Sequence, residues 1–415
     1  MTQCIMIGCD LHQDSMLLKI AQDRQAPETR RWKNTARDRT RMIADLKRRA
    51  AAVGGARLVF AYEASSAGFG LYDQLEEAGI EAYVLAPTKI PRSSRQKREK
   101  TDEKDAHQIL ELVRAYVLAG NPLPSVWIPD PPLRDDREIV RMRLDVGNKA
   151  TTLKVQIRSL LKRNSVVRPT EIGKSWTKTF RAWTKALASE PSEAAPVMLP
   201  TGTRRTLASL LRQLEFLEEE QERLDMQVAA LAQGPRYLAA LQKLVHLTGV
   251  GVLAGMVFLT EIGVLHRFAN RRQIASYLGL APTSYESGKT NDRKGHISRQ
   301  GSARLRKILC QASWVRIRCD PEEKAVYERI KAKNPKKSKI AVVACMRRLG
   351  IRMWHTAQSA FPRPKTGKTS ATVCPQATVG FSKASNGCPK EKKPDRQSLK
   401  KQKSLGKNRG PSRGR

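Results

Sequence analysis

Residues 4–10 read Cys-Ile-Met-Ile-Gly-Cys-Asp (CIMIGCD), a short apolar run that stops on a carboxylate. Such a run is a strand signal. A second run follows at Met16–Ala21 and a weaker third near Arg31–Asn34, and their close spacing predicts a meander of hairpin-linked strands. Ala36–Ala52 has helical periodicity, with Met42, Ile43 and Leu46 on one face. Arg57–Ala64 (RLVFAYEA) is an apolar run of the kind that parallel sheets bury. Gly70–Ala78 reads as a short helix and Glu81–Ala86 as another strand. Thr101–Leu118 reads as a helix whose Ile109, Leu110, Leu112 and Val113 are apolar.

The resulting order, βββαβαβα, is that of the RNase H-like fold. The expected fold class is therefore an α/β N-terminal domain joined to mostly α-helical parts. Arg134–Arg163 is long, charged and helical, and the proline-richer Ser165–Gly202 reads as a connector. Leu207, Leu210, Leu214, Leu217, Gln221, Leu224, Val228 and Leu231 then recur in alternating steps of three and four. That is a heptad seam, which serves either a coiled-coil contact between subunits or a helix packed within one subunit. Gly234-Pro235 ends it. The expected domains are residues 1–120 (RNase H-like), 134–235 (coiled coil and connector), 237–361 (helical C-terminal domain) and 362–415, a basic tail expected to be disordered.

The chain has 415 residues, with 77 Lys and Arg against 39 Asp and Glu, a formal charge of +38. From Arg363 onward there are 15 basic and 2 acidic residues, so +25 resides in the body of the chain and the tail does not explain the excess. A polyanion, DNA or RNA, is the expected partner. The seven cysteines make no CxxC pair, and the odd number argues against a complete disulfide framework. The six histidines form no Cys/His cluster of the zinc type. No apolar stretch has the ~20 residues that a membrane helix needs. The N-terminus opens on a strand rather than a leader, and a cytoplasmic, nucleoid-associated protein is expected.

Asp10 and Glu63 each end an apolar strand, and Asp102 and Asp105 stand three apart at the start of a helix, on one face. In sheets with parallel strands, chemistry gathers beyond the carboxyl ends of those strands. Four carboxylates in one cleft suit two Mg²⁺ ions ~3.5–4 Å apart, which activate a nucleophile and stabilise a leaving oxygen. Taken singly, an Asp after a strand is commonly a turn residue, and Asp102 also suits the positive end of a helix. The basic run Lys89–Lys100, with Lys89, Arg92, Arg95, Lys97 and Arg98, precedes the Asp102 pair and is placed to hold a phosphate backbone. Further on, Gly249 and Gly251 flank Val250 between two apolar helical stretches, as in a helix-hairpin-helix element whose glycines admit phosphates to backbone N–H groups. A Gly-x-Gly turn serves a purely structural role equally well.

Cys9-Asp10, Tyr62-Glu63-Ala64 and Lys100-Thr101-Asp102-Glu103-Lys104-Asp105-Ala106 resemble the DEDD motif of insertion-sequence transposases, whose N-terminal domain is similar to the Holliday-junction nuclease RuvC. A second block resembles the second domain of the same family. It runs from Tyr277-Leu278-Gly279-Leu280-Ala281-Pro282 through the polar loop Thr283–His296 and Ile297–Gly301 into a helix with Arg304, Arg306 and Lys307. The resemblance implies Mg²⁺ held by Asp10, Glu63, Asp102 and Asp105. It also implies a serine nucleophile forming a transient phosphoserine link to DNA; Ser287 best matches the position, with Ser284 and Ser298 as rivals. Turn formation is the commoner role of loop serines. Lys289, Arg293, Lys294, Arg299 and Arg304 are the expected phosphate contacts of that domain. The family further implies a structured guide RNA from the element, and a homo-oligomer, dimer or tetramer. The tail beyond Pro362 is extra to the family pattern. Two other readings stand beside the transposase: a RuvC-like structure-selective nuclease using water, and a non-catalytic nucleic-acid-binding protein.

Overall fold

The structure is a computed structural model that describes residues 3–91, 101–173, 176–189, 199–285, 293–333 and 335–361. Contacts divide the chain into two compact units, one within Met1–Val126 and one within Trp127–Val373.

The first unit is a five-stranded mixed sheet with helices. Strands β1 (Cys4–Leu11), β2 (Ser15–Gln22) and β3 (Glu28–Lys33) form an antiparallel meander, and β4 (Arg57–Glu63) and β5 (Glu81–Leu85) add to it in parallel. The strand order is β3-β2-β1-β4-β5, which makes β1 the central strand. All its residues are buried, as its apolar composition requires. Helices α1 (Ala36–Ala52), α2 (Gly70–Glu77) and α3 (Asp102–Ala119) complete the unit. Thr35 caps α1 by accepting from the Asp38 N–H, and Thr101 caps α3 by accepting from the Lys104 N–H. Gly120, in the left-handed conformation, ends α3. This mixed α/β arrangement is compatible with the RNase H-like expectation.

Helix α3 is seated on β1 through Gly8. A Cβ at Gly8 would fall on the Leu110 backbone nitrogen and the Ala106 carbonyl, so the helix backbone rests directly on the strand. Alternation along β1 puts Cys4, Met6, Gly8 and Asp10 on that face. Cys4 and Met6 pack with Val59, Ala61, Ile109, Leu110 and Val113 in one core cluster.

In the second unit, α4 (Pro131–Arg163) and α6 (Thr201–Ala232) form a long antiparallel pair, tied by Arg143–Asp225 at 2.6 Å and Lys154–Glu218 at 2.8 Å. The heptad face is occupied within the chain: Leu207, Leu214, Leu224 and Val228 are buried, joined by Leu211, while Leu210, Leu217 and Leu231 are only partly covered. The connector holds a helix that sequence pattern did not reveal, α5 (Lys178–Ala188), capped by Thr177 and burying Phe180, Thr184 and Leu187. The remainder is helical: α7 (Leu238–Val245), α8 (Val252–Ile262), α9 (Arg271–Tyr277), α10 (Ala303–Cys319), α11 (Pro321–Ala332) and α12 (Ser338–Gln358). Both ends of the polar stretch expected to be a loop, Thr283–His296, are instead strands of a small antiparallel pair, β6 (Pro282–Tyr285) and β7 (Arg293–Ile297). The buried carbonyls of Thr260 and Glu261, at the end of α8, accept from Arg137 at 2.7 and 2.9 Å, which satisfies helix-end acceptors that would otherwise lie orphaned. No described helix is long and apolar enough to cross a membrane. The tail at 362–415 lies outside the described residues.

Candidate metal centre

Asp10 is the penultimate residue of β1 and continues the row of that strand that α3 covers. Glu63 ends β4, one step past Tyr62, the register partner of Cys9. Continuing that register by one residue puts the Glu63 backbone alongside Asp10 at the carboxyl end of the sheet, while the close cluster of ligand atoms found among the described residues is that of Asp10, His12 and Asp102. Helix α3 starts over this end, with Asp102 and Asp105 in its first turn. Asp10 and Asp105 are 8% and 7% exposed, unusually buried for acids.

The carboxylates act on one another. Burial pushes the Asp10 carboxyl above the ordinary range, His12 pulls it down, and the charges of Asp102 and Asp105 push it up again. Glu103, between the two aspartates, turns elsewhere and pairs with Arg31 at 3.2 Å and Lys19 at 3.8 Å. Burial also raises the neighbouring Cys9 thiol, which removes it as a nucleophile.

His12 is a member of the site that sequence reading missed. Its Nε2 lies 3.1 Å from Asp10 Oδ2 and 3.4 Å from Asp102 Oδ1, and ligand atoms of the three residues all lie within 4.8 Å of one another. A histidine two residues beyond the aspartate near the end of β1, at the start of the β1–β2 turn, was the available signal. The donor set of hard carboxylate oxygens plus an imidazole fits a divalent cation.

The remaining expected site residues fall in three groups. Arg92, Arg95, Lys97, Arg98, Ser287 and Lys289 lie outside the described residues. Lys89 is exposed in a 3-10 turn after β5, Arg293 and Lys294 open β7, and Arg299 is exposed in left-handed backbone at φ 54°. The last group is engaged within the fold. Arg304 pairs with Asp145 of α4 at 3.0 Å. Gly249 has a positive φ, and a Cβ there would fall on the Ala312 carbonyl of α10, so close packing alone explains this glycine. Gly251 differs: it is the N-cap of α8 and faces open space. Of the rival serines, Ser284 lies in β6, and the Ser298 hydroxyl is buried with no hydrogen-bond partner among the described residues.

A family model described as "Transposase IS116/IS110/IS902 family" matches residues 241–328, and a DEDD-type model described as "Transposase" matches residues 7–165. A putative transposase of Sinorhizobium fredii is 29% identical over 255 residues, 61% of this chain and 57% of the relative. A second putative transposase of that organism is 30% identical over 332 residues, 75% of this chain and 80% of the relative. The transposase for insertion sequence element IS1533 of Leptospira borgpetersenii is 25% identical over 255 residues, 61% of this chain and 69% of the relative.

Proposed function

The chain belongs to the IS116/IS110/IS902 family of transposases, and on that premise we propose that it cuts and rejoins DNA strands at the ends of an insertion sequence, using a Mg²⁺ site and a serine nucleophile. The observation that carries the reading is the meeting of Asp10 and Asp102 at the carboxyl end of the sheet, with the charge of Asp105 felt at Asp10. Structural ion pairs bring cations to buried acids; here the acids press on one another, which is the signature of a functional site.

Asp10, Glu63, Asp102 and Asp105 are the residues that would hold magnesium. The bound ions supply Lewis-acid stabilisation of the attacking and leaving oxygens of a phosphodiester. Burial of Asp10 and the seating of α3 on Gly8 fix two of these carboxylates before substrate arrives. In this proposal the Ser287 hydroxyl attacks a DNA phosphate, forms the phosphoserine bond and releases a deoxyribose oxygen. Exposed Lys89 and Arg299, with Arg92, Arg95, Lys97, Arg98, Lys289, Arg293 and Lys294, contact the phosphate backbone. The exposed backbone at Gly251, before α8, suits a phosphate at a helix N-terminus in a helix-hairpin-helix manner, and Gly249 shapes that turn. Arg304 joins them only by leaving Asp145.

A guide RNA and a homo-oligomer belong to the same proposal. The charge of +25 outside the tail supports a second polyanion. The heptad seam is largely covered within the chain, and exposed Met142, Val155, Phe216 and Met226 on α4 and α6 offer apolar surface to a second copy.

The test is strand cleavage and joining of element-end DNA in Mg²⁺. Asp102→Ala should lower cleavage by at least ~10³-fold, about 4 kcal/mol of transition-state stabilisation. Ser287→Ala should abolish denaturation-resistant protein–DNA adducts. Undiminished cleavage by Asp102→Ala removes the metal site from the chemistry, and cleavage without adducts assigns the attack to water.

A further inference from the structure

The histidine beside the carboxylates is not accounted for by a magnesium site built from acids alone. We propose that His12 donates its Nε2 to the ion shared by Asp10 and Asp102, so that the site favours manganese and related transition ions over magnesium; this rests on the metal reading above.

The first argument is spacing. A six-coordinate ion with bonds of about 2.0–2.1 Å sets neighbouring ligands about 2.9 Å apart. His12 Nε2 stands 3.1 Å from Asp10 Oδ2 and 3.4 Å from Asp102 Oδ1, slightly wider, in the direction of a larger ion. The second is valence. One imidazole nitrogen faces two carboxylate oxygens. A single N–H serves one of them in good geometry, whereas one cation serves all three donors.

The third is the construction of the turn that carries the histidine. Asn34 Nδ2 donates to the carbonyls of His12 and Gln13 at 2.7 and 3.1 Å, and Asn34 N donates to Asp14 O at 2.9 Å. Arg39 Nε donates to Asn34 Oδ1 at 2.6 Å and fixes the amide itself. His12 N donates to Ser15 O at 2.9 Å. An exposed turn ordinarily needs no such clamp, and a ligand that must be held in place does. Imidazole ranks transition ions above magnesium, which sets the direction of the selectivity.

The experiment uses the full chain in a non-coordinating buffer, with Mn²⁺ alone and Mg²⁺ alone as probes. Calorimetry should show Mn²⁺ affinity falling about tenfold or more in His12→Ala, while Mg²⁺ affinity changes far less. Pulsed electron resonance of the Mn²⁺-loaded wild type should show coupling to a nitrogen nucleus, which is lost in His12→Ala and in His12→Asp. His12→Asp, with an oxygen donor restored, should recover Mg²⁺ binding without that coupling. Nitrogen coupling that persists in His12→Ala, or equal losses for both ions, overturns the assignment while leaving the metal site intact. A wild type that takes up neither ion, like Asp102→Asn, overturns the metal reading and the assignment with it.

Discussion

In the helical unit Glu261 is 5% exposed and is gripped by Arg141, whose Nε donates at 2.8 Å and Nη2 at 3.3 Å. In the sheet unit Asp10 is 8% exposed, and its strongest relief is a histidine while two further aspartates press on it. Both are buried carboxylates, and they have opposite electrostatic settings. Glu323 repeats the first pattern, with Arg316 and Arg348 each 3.4 Å away. Half-buried Glu218 is likewise held by cations, Lys154 of α4 and Arg181 of α5. The helical unit supplies cationic side chains to these acids, whereas Asp10 keeps two acidic neighbours, a setting that a divalent cation would relieve.

Breaking one member of each set should separate the two. Arg141→Ala removes both hydrogen bonds to the buried Glu261 carboxylate and leaves it only the charge of Arg137 from that helix, whose guanidinium is committed to backbone carbonyls, and should destabilise the helical unit by about 3 kcal/mol. For a unit of this size that is a fall in Tm of roughly 6–12 °C by calorimetry. A loss below about 1 kcal/mol would mean that the pair is not buried as it stands. Glu218 sharpens the contrast through pH. Burial alone would raise its carboxyl, but the hydrogen bonds from Arg181 and Lys154 outweigh this and hold it below the usual range. A depressed carboxylate contributes stability above its unfolded pKa and loses it as pH falls through the folded value. The Tm of the helical unit should therefore decline below about pH 4.3, and Glu218→Gln should remove part of that decline.

The smallest effect has the opposite sign. Asp10 is raised by burial first and by its acidic neighbours, so its ionised form costs stability when no cation is bound. Asp10→Asn should raise the Tm slightly in chelator, and added Mg²⁺ should stabilise the wild type but not the variant. A variant less stable than wild type in chelator would place Asp10 among the satisfied acids and erase the contrast.

Much of the sheet unit was legible in the residues. Helix Ala36–Ala52 has the bounds read from its periodicity, since Thr35 caps it and Met42 and Leu46 bury one face. The strand run around Cys4–Asp10 was plain because the central strand is apolar on both faces. Helix α5 escaped notice because prolines surround a short amphipathic stretch whose pattern is carried by Phe180, Thr184 and Leu187. Strands β6 and β7 are polar and lack alternation, so nothing local distinguished them from a loop. Gly249 shows a deeper limit: a glycine needed for a neighbouring helix and one needed for a phosphate leave the same letter in the chain. His12 was lost for a related reason, since a polar residue in a hairpin turn requires no explanation until its neighbours across the sheet end are known.

The bare contact at Gly8 makes the acidic cleft a fixed-gauge tool. Main chain rests on main chain there, so exchanging apolar residues such as Met6 or Val113 would change how firmly the unit holds together without resetting the gap between strand-end and helix-start carboxylates. Retuning that gap requires sliding the helix itself. A single residue inserted between Asp105 and Ala106 would swing both acids about 100° around the helix axis, away from Asp10. Directed evolution of a new ion preference would therefore find its adjustable parts in the hairpin turn, and its immovable ones under the helix.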